Sequence, residues 1–194
     1  MTRMVEDLLD LARLDRGRIS LQQETLDLRE LVPEAVESIP LLREEGAFDF
    51  AYALPEQPLT VLGDSVRLVQ VLANLLDNAT KYTPRGGWIR VEAEREGGEV
   101  VVRVRDNGRG IDPEARDSVF ESGFTTRADG TGYGLDIVRE VVESHGWRVE
   151  LRAPPDDPIG LPDGRRLRPP GGACFEVCAP GPAGAEPDEP WIDA

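Results

Sequence analysis

Apolar residues along this chain recur at helical spacing in some stretches and alternate at strand spacing in others, and the contrast lays out most of its elements. Residues 1 to 16 read as a helix: Met1, Met4, Leu8 and Leu11 fall at intervals of three, four and three, with Val5 and Ala12 widening the stripe into a heptad-like seam. Gly17 stops it, and residues 19 to 28 supply a short linker and an edge strand. A second helix is predicted over residues 31 to 45, with Pro33 tolerable in its first turn. Phe48 to Leu54 and Leu59 to Leu62 read as strands, and Asp64 or Ser65 caps the helix that follows. Trp88 to Arg95 and Glu99 to Arg105 alternate on either side of Glu96-Gly97-Gly98, a strong hairpin signal. A helix over Leu135 to Val142, a strand over Trp147 to Leu151 and a last strand over Ala173 to Cys178 complete the pattern.

Composition narrows the class. A chain of 194 residues with 40% hydrophobic content can build one main domain and an appendage. The formal charge of −15 and a pI near 4.5 exclude general affinity for nucleic acid or an anionic membrane. Lys81 is the single lysine and arginine supplies the other basic residues; this acidic, arginine-over-lysine surface fits a high-salt interior, and high genomic GC content accounts equally for the arginines. Cys174 and Cys178 sit four residues apart on one expected strand, which puts their Cα atoms about 13 Å apart, too far for a disulfide. Inert thiols in a reducing compartment are expected. No apolar run approaches the roughly 20 residues of a membrane span and no signal peptide is visible, so the expectation is a cytoplasmic chain without a membrane segment.

Two glycine-dense turns carry the candidate chemistry: Asp106-Asn107-Gly108-Arg109-Gly110 and Gly130-Thr131-Gly132-Tyr133-Gly134. Taken alone, Asp-Asn-Gly is also an ordinary tight turn. The second turn opens a helix, whose free amide donors and partial positive charge suit a phosphate. There is no Gly-Lys-Ser/Thr ending of a P-loop, and no strand precedes the second turn as a dinucleotide fingerprint requires. On the helix after Asp64, Leu68, Leu72, Leu75, Leu76 and Ala79 share one side, while Arg67, Asn74, Asn78 and Lys81 cluster within about 60° on the other. Such a face is usually only wet. Asparagine is a poor helix former, however, and two of them four apart suggest amide oxygens wanted for a ligand such as a hard cation.

The order of these segments resembles the catalytic ATP-binding domain of sensor histidine kinases, in the superfamily shared with gyrase-type and mismatch-repair ATPases. Asp64 to Thr83 is similar to that family's N box, Asp106 to Ile111 to its first glycine box, Phe120 to Phe124 to its F box, and Gly130 to Leu135 to its second glycine box. The resemblance implies an α/β two-layer sandwich, a mixed sheet backed by helices of the Bergerat type, binding ATP with Mg²⁺. It gives Asn78 to the metal, Lys81 to the phosphates, Tyr82 a place along the nucleotide and Asn74 a supporting position. Asp106 reads the adenine amino group, Gly108 and Gly110 let the ring lie on backbone, and Ile111 forms an apolar wall. Phe120 and Phe124 hinge a lid whose Thr125, Thr126 and Arg127 lie near the phosphates, with Gly130, Thr131, Gly132, Tyr133, Gly134 and Leu135 completing the nucleotide site; Tyr133 departs from the leucine common there.

Residues 1 to 18 resemble the end of the dimerisation and phosphoacceptor hairpin, which implies a homodimer through residues 1 to 16. The hairpin helix bearing the acceptor histidine and its general base is absent from this sequence. Residues 19 to 180 then form the catalytic domain, and 181 to 194 a disordered acidic tail. The expected activity is γ-phosphoryl transfer to a histidine outside this chain, for relay to a response regulator. The alternatives are a same-fold ATPase and a nucleotide-gated binding module. His145, the sole histidine, lies at the end of the helix after the second glycine turn and outside any acceptor context, so a spectator role is expected. Residues 154 to 171 read as a loop longer than the family usually carries before its last strand.

Overall fold

A computed structural model describes residues 20–127, 130–152, 159–160, 166–167 and 172–181. The helix expected over residues 1 to 16 and the acidic tail beyond Gly181 lie outside the described residues, as does most of the segment from 154 to 171. In chain order the elements are β1 (Glu24–Asp27), α1 (Leu28–Glu37), β2 (Asp49–Ala53), β3 (Thr60–Gly63), α2 (Ser65–Tyr82), β4 (Trp88–Glu96), β5 (Glu99–Asp106), α3 (Gly134–Ser144), β6 (Arg148–Arg152), β7 (Ile159–Gly160), β8 (Arg166–Leu167) and β9 (Cys174–Pro180). Five strands form a mixed sheet in the order β2-β4-β5-β9-β6, with β2 parallel to β4 and the other neighbours antiparallel. β1 pairs antiparallel with β3, and β7 with β8, in separate two-stranded ribbons.

The alternation read from the sequence decides which face of the sheet meets the helices. Val91 sits opposite Val104 and Val104 opposite Phe175; Ala93, Val102 and Val177 line up in the next row. These residues join Leu68, Leu72, Leu75, Leu76 and Ala79 of α2 and Ile137, Val138, Val141 and Val142 of α3 in one buried cluster. Truncating one of them, such as Leu75, costs about 2–5 kcal/mol through lost transfer energy and the cavity left behind. The opposite face is ionic. Arg103 reaches Glu94, Glu96 and Glu176, Arg152 holds the other oxygen of Glu176 at 2.9 Å, and Arg105 pairs with Glu92 at 2.9 Å. Cys174 and Cys178 share this face as buried free thiols, and burial pushes both up, Cys178 to about 11. Thiolates are scarce at such values, as expected of inert cysteines.

Two boundaries differ from expectation. The helix predicted over 31 to 45 begins at Leu28 and ends at Glu37, because Asp27 caps it, accepting from Arg29 N at 3.1 Å, and Pro40 diverts the chain into a short 3₁₀ turn, Pro40–Arg43. Pro33 therefore lies inside α1, beyond its first turn, where burial of Leu28, Leu31, Val32 and Ala35 offsets the missing backbone bond. The hairpin matches its signal: Gly97 and Gly98 take φ of +59° and +86°, a pair of left-handed residues that a two-residue turn demands.

Candidate functional site

Asp106 is the last residue of β5 and continues its inward register, Val100-Val102-Val104-Asp106, so the chain places a carboxylate at a position where the pattern calls for an apolar side chain. It is 5% exposed. Gly108 N donates to its Oδ1 at 2.8 Å and Ala173 N to the same oxygen at 3.4 Å, while Oδ2 accepts nothing among the described residues. Burial pushes its pKa up to about 6, against the opposing pull of those two backbone donors. A largely ionised acceptor with one free oxygen results at neutral pH.

The backbone around Asp106 is fixed by neighbours distant in sequence. Asp106 N donates to Ala173 O at 3.0 Å, Asn107 N to Trp88 O at 3.2 Å, and Trp88 N to Asn107 Oδ1 at 2.7 Å. Arg109 N donates to Tyr82 O at 3.3 Å, which ties the turn to the end of α2. Two glycines make this approach possible. A Cβ on Gly108 would run into the Tyr82 carbonyl, and one on Gly172, whose φ is +98°, would run into the carbonyl of Asp106 itself. Gly172 and Ala173 were not foreseen as part of the site, since only the antiparallel pairing of β5 with β9 brings them there.

Between the inner face of the sheet, α2 and α3 lies a cavity of about 820 Å³. Asn74, Asn78, Lys81 and Tyr82 of α2 line it, with Asp106, Gly110 and Ile111 at one end and Thr125, Thr126, Arg127, Gly130, Thr131, Gly132, Gly134 and Leu135 at the other. Arg67 does not share this wall; it bonds to Gln70 on the helix surface at 2.9 Å. Gly108 stands behind the wall as a spacer. Phe120 packs edge-on to Phe175 with ring centroids 6.0 Å apart and Tyr133 packs against the core, and neither is among the residues that line the cavity. Phe124 does line it.

α3 begins in the cavity without a side-chain cap: Tyr133 occupies the N-cap position and makes no capping hydrogen bond. Its first amides are therefore left as donors beside Gly134, where a Cβ would come within 4.0 Å of the side-chain amides of Asn74 and Asn78. Asn74 Nδ2 is buried and has no hydrogen-bond partner among the described residues. Among the described residues no group of three or more His, Cys, Asp or Glu could by itself hold a metal ion. The oxygen-bearing amides suit a hard cation that draws its remaining ligands from phosphate oxygens and water, as Mg²⁺ does. Lys81, expected at the phosphates, pairs with Asp77 one turn back at 2.7 Å and is about half exposed, which holds it at the rim. Asp77 and Arg109 also line the cavity and were missed: an acid beside a lysine reads as a helix surface pair, and Arg109 as a solvated turn residue.

His145 is locked elsewhere. Asp64 N donates to its Nε2 at 3.0 Å, which leaves the ring proton on Nδ1 to donate to Val141 O at 2.7 Å; the ring packs on Trp147. Asp64 in turn caps α2, accepting from Arg67 N, and accepts from Gln22 N at 2.9 Å. Both ring nitrogens are thus used in joining the ends of α2 and α3, which accords with the spectator role.

Residues 63–183 match the family described as "Histidine kinase-, DNA gyrase B-, and HSP90-like ATPase". Among curated proteins, the adaptive-response sensory kinase SasA of Thermosynechococcus vestitus is 37% identical over 162 residues, which span 80% of this chain and 42% of that protein. Among solved structures, the mycobacterial sensor histidine kinase MprB superposes with a TM-score of 0.67 at 31% identity, covering 82% of this chain and 97% of that one. Full-length ShkA in complex with AMPPNP gives 0.73 at 32% identity, covering 92% of this chain and 35% of that one. The chain thus spans less than half of the SasA and ShkA polypeptides. Among its described residues no helix is long and apolar enough to cross a membrane.

Proposed function

The chain belongs to the histidine kinase-, DNA gyrase B- and HSP90-like ATPase family, and from that premise we propose that it acts as the catalytic part of a cytoplasmic sensor histidine kinase, binding Mg²⁺-ATP and passing the γ-phosphoryl group to a histidine on a separate hairpin, from which a response regulator takes it. The observation that carries this reading is the cavity with two unlike ends: a buried carboxylate with one free oxygen at the first glycine turn, and an uncapped helix N-terminus beside two asparagine amides at the second. Residues 1 to 18 would belong to the hairpin and support a homodimer.

In this reading the free oxygen of Asp106 accepts from the adenine amino group, with Ile111 along the ring. Asn78 holds the metal, with Asn74 behind it. Bound Mg²⁺ supplies charge neutralisation of the phosphates. The α3 amides, Thr125 and Arg127 donate to phosphate oxygens, Thr126 stands near them, and Lys81 reaches them by exchanging Asp77 for the stronger anion. The acceptor nitrogen attacks the γ-phosphorus as its bond to the ADP oxygen breaks, so the chain's own contribution is position and charge. The test is incubation with γ-labelled ATP, with and without a separate hairpin carrying the acceptor histidine. Acid-labile label on the hairpin alone is expected. Release of free phosphate without transfer would identify an ATPase, and ATP binding with neither outcome a nucleotide-gated module.

A further inference from the structure

Arg109 stands apart from the ion-paired arginines among the described residues. Arg29, Arg85, Arg90, Arg103, Arg105, Arg139, Arg148 and Arg152 each pair with a carboxylate, whereas Arg109 has none among the described residues. Its guanidinium instead lies over the ring of Tyr82, 4.7 Å from the centroid, and Nη2 donates to Thr126 Oγ1. All three residues line the cavity. The side chain therefore crosses from the first glycine turn, beside the buried Asp106, to the segment before the second.

Resting on the nucleotide-binding reading above, we propose that Arg109 is a retention residue: braced flat on Tyr82, it pins Thr126 across the cavity, so that a bound nucleoside triphosphate leaves only when this bridge opens. The geometry requires a planar cation. The ring face attracts the guanidinium while its edge remains free to donate, and the backbone bond from Arg109 N to Tyr82 O holds the stack in register. A lysine keeps the charge and cannot both stack flat and fork. Thr126 offers a hydroxyl and no charge, so the bridge is held by one charge-assisted hydrogen bond and opens at modest cost.

Arg109 acts here through Thr126 and Tyr82 and is a positioning residue, which a dissociation measurement can separate from a fold defect. With a fluorescent ATP analogue and Mg²⁺, the wild-type chain is expected to release nucleotide slowly, and Arg109→Ala about tenfold faster, the size of one such hydrogen bond. Arg109→Lys should release nearly as fast as Arg109→Ala. Thr126→Val should also accelerate release, and the double variant should be no faster than Arg109→Ala alone. For Arg109→Ala, phosphoryl transfer to a supplied hairpin at saturating ATP should change less than twofold, giving a higher KM with little loss of kcat. Release from Arg109→Ala within twofold of wild type, full retention by Arg109→Lys, or multiplicative effects of the two substitutions would each overturn the bridge. A wild-type chain that retains no nucleotide would overturn the nucleotide-binding reading itself, and the bridge with it.

Discussion

The two ends of the cavity are built on opposite plans. At the Asp106 end the turn is tied to backbone of β4, α2 and the start of β9 through Asp106 N, Asn107 and Arg109 N, and one oxygen of the buried carboxylate is left over. At the α3 end the donors are left over: the helix has no side-chain cap, Asn74 Nδ2 has no partner among the described residues, and Thr125 makes its bonds with Arg127, two residues away. A flat uncharged ring gives little Coulomb energy, so recognising it depends on an acceptor that cannot move to suit another ring. A charged chain with its cation rewards donors that can still rearrange. On the proposed reading, one end selects by rigidity and the other binds by unspent hydrogen-bonding capacity.

The sharpest way to break the contrast is to disturb the rigid end from behind. Gly172→Ala places a methyl group into the Asp106 carbonyl at a left-handed φ, and we expect about 3 kcal/mol or more of lost stability in urea melts together with loss of ATP binding. Gly146→Ala is the matched control: its φ is +74° but the added carbon meets nothing, so about 1 kcal/mol is expected. If the two cost the same, close backbone approach is not what fixes this end.

Asp106→Ala should come next, weakening ATP by about a hundredfold while leaving inorganic triphosphate within about twofold, because the loss is one buried charged acceptor at the base end. Asn78→Ala should do the reverse, costing about tenfold in Mg²⁺-ATP affinity by calorimetry and nothing for adenosine. Equal losses for ATP and triphosphate in the first variant would erase the division of labour.

The pH response sharpens the same comparison. Because the Asp106 pKa lies near 6 in the fold and 3.8 is its ordinary value, the folded chain takes up a proton more readily than the unfolded one between pH 6 and 4. This group therefore penalises the empty fold at neutral pH and ceases to do so as pH falls through that window, by up to about 3 kcal/mol. ATP affinity should move the other way, dropping as the acceptor is protonated below pH 6, whereas triphosphate binding should lack that step. Asp106→Asn should remove the step from both melts and titrations. The smallest effect belongs to the rim: Asp77→Ala frees Lys81 and should change stability by less than about 0.5 kcal/mol, since the pair is solvent-screened.

Much of the Asp106 end was legible in the sequence because its signals are local. Alternation over Val100 to Val104 fixes which face of the sheet the carboxylate joins, and Gly97-Gly98 fixes the register that delivers it. The α2 stripe likewise showed which side of Asn74 and Asn78 is wet. What stayed hidden depends on contacts between remote segments: Ala173 donating to a residue 67 positions away, Tyr82 offering its carbonyl to Arg109, and the salt pair that occupies Lys81. The early end of α1 was readable in principle. Pro40 lies inside the range predicted as helix, and a proline there has no N–H to donate and clashes with the preceding turn, so the helix ends before it.

The lone imidazole of His145, held between a backbone donor from Asp64 and a carbonyl of α3, gives the chain a single built-in probe. Its ring carbons would contribute one histidine signal to a spectrum, reporting on the joint between the two helices that frame the cavity. An acylating reagent such as diethylpyrocarbonate would find it only when that joint opens. If nucleotide binds at the start of α3 as proposed, it should be followed from the helix's far end, by the slowing of an ultraviolet absorbance rise at a residue the ligand never touches.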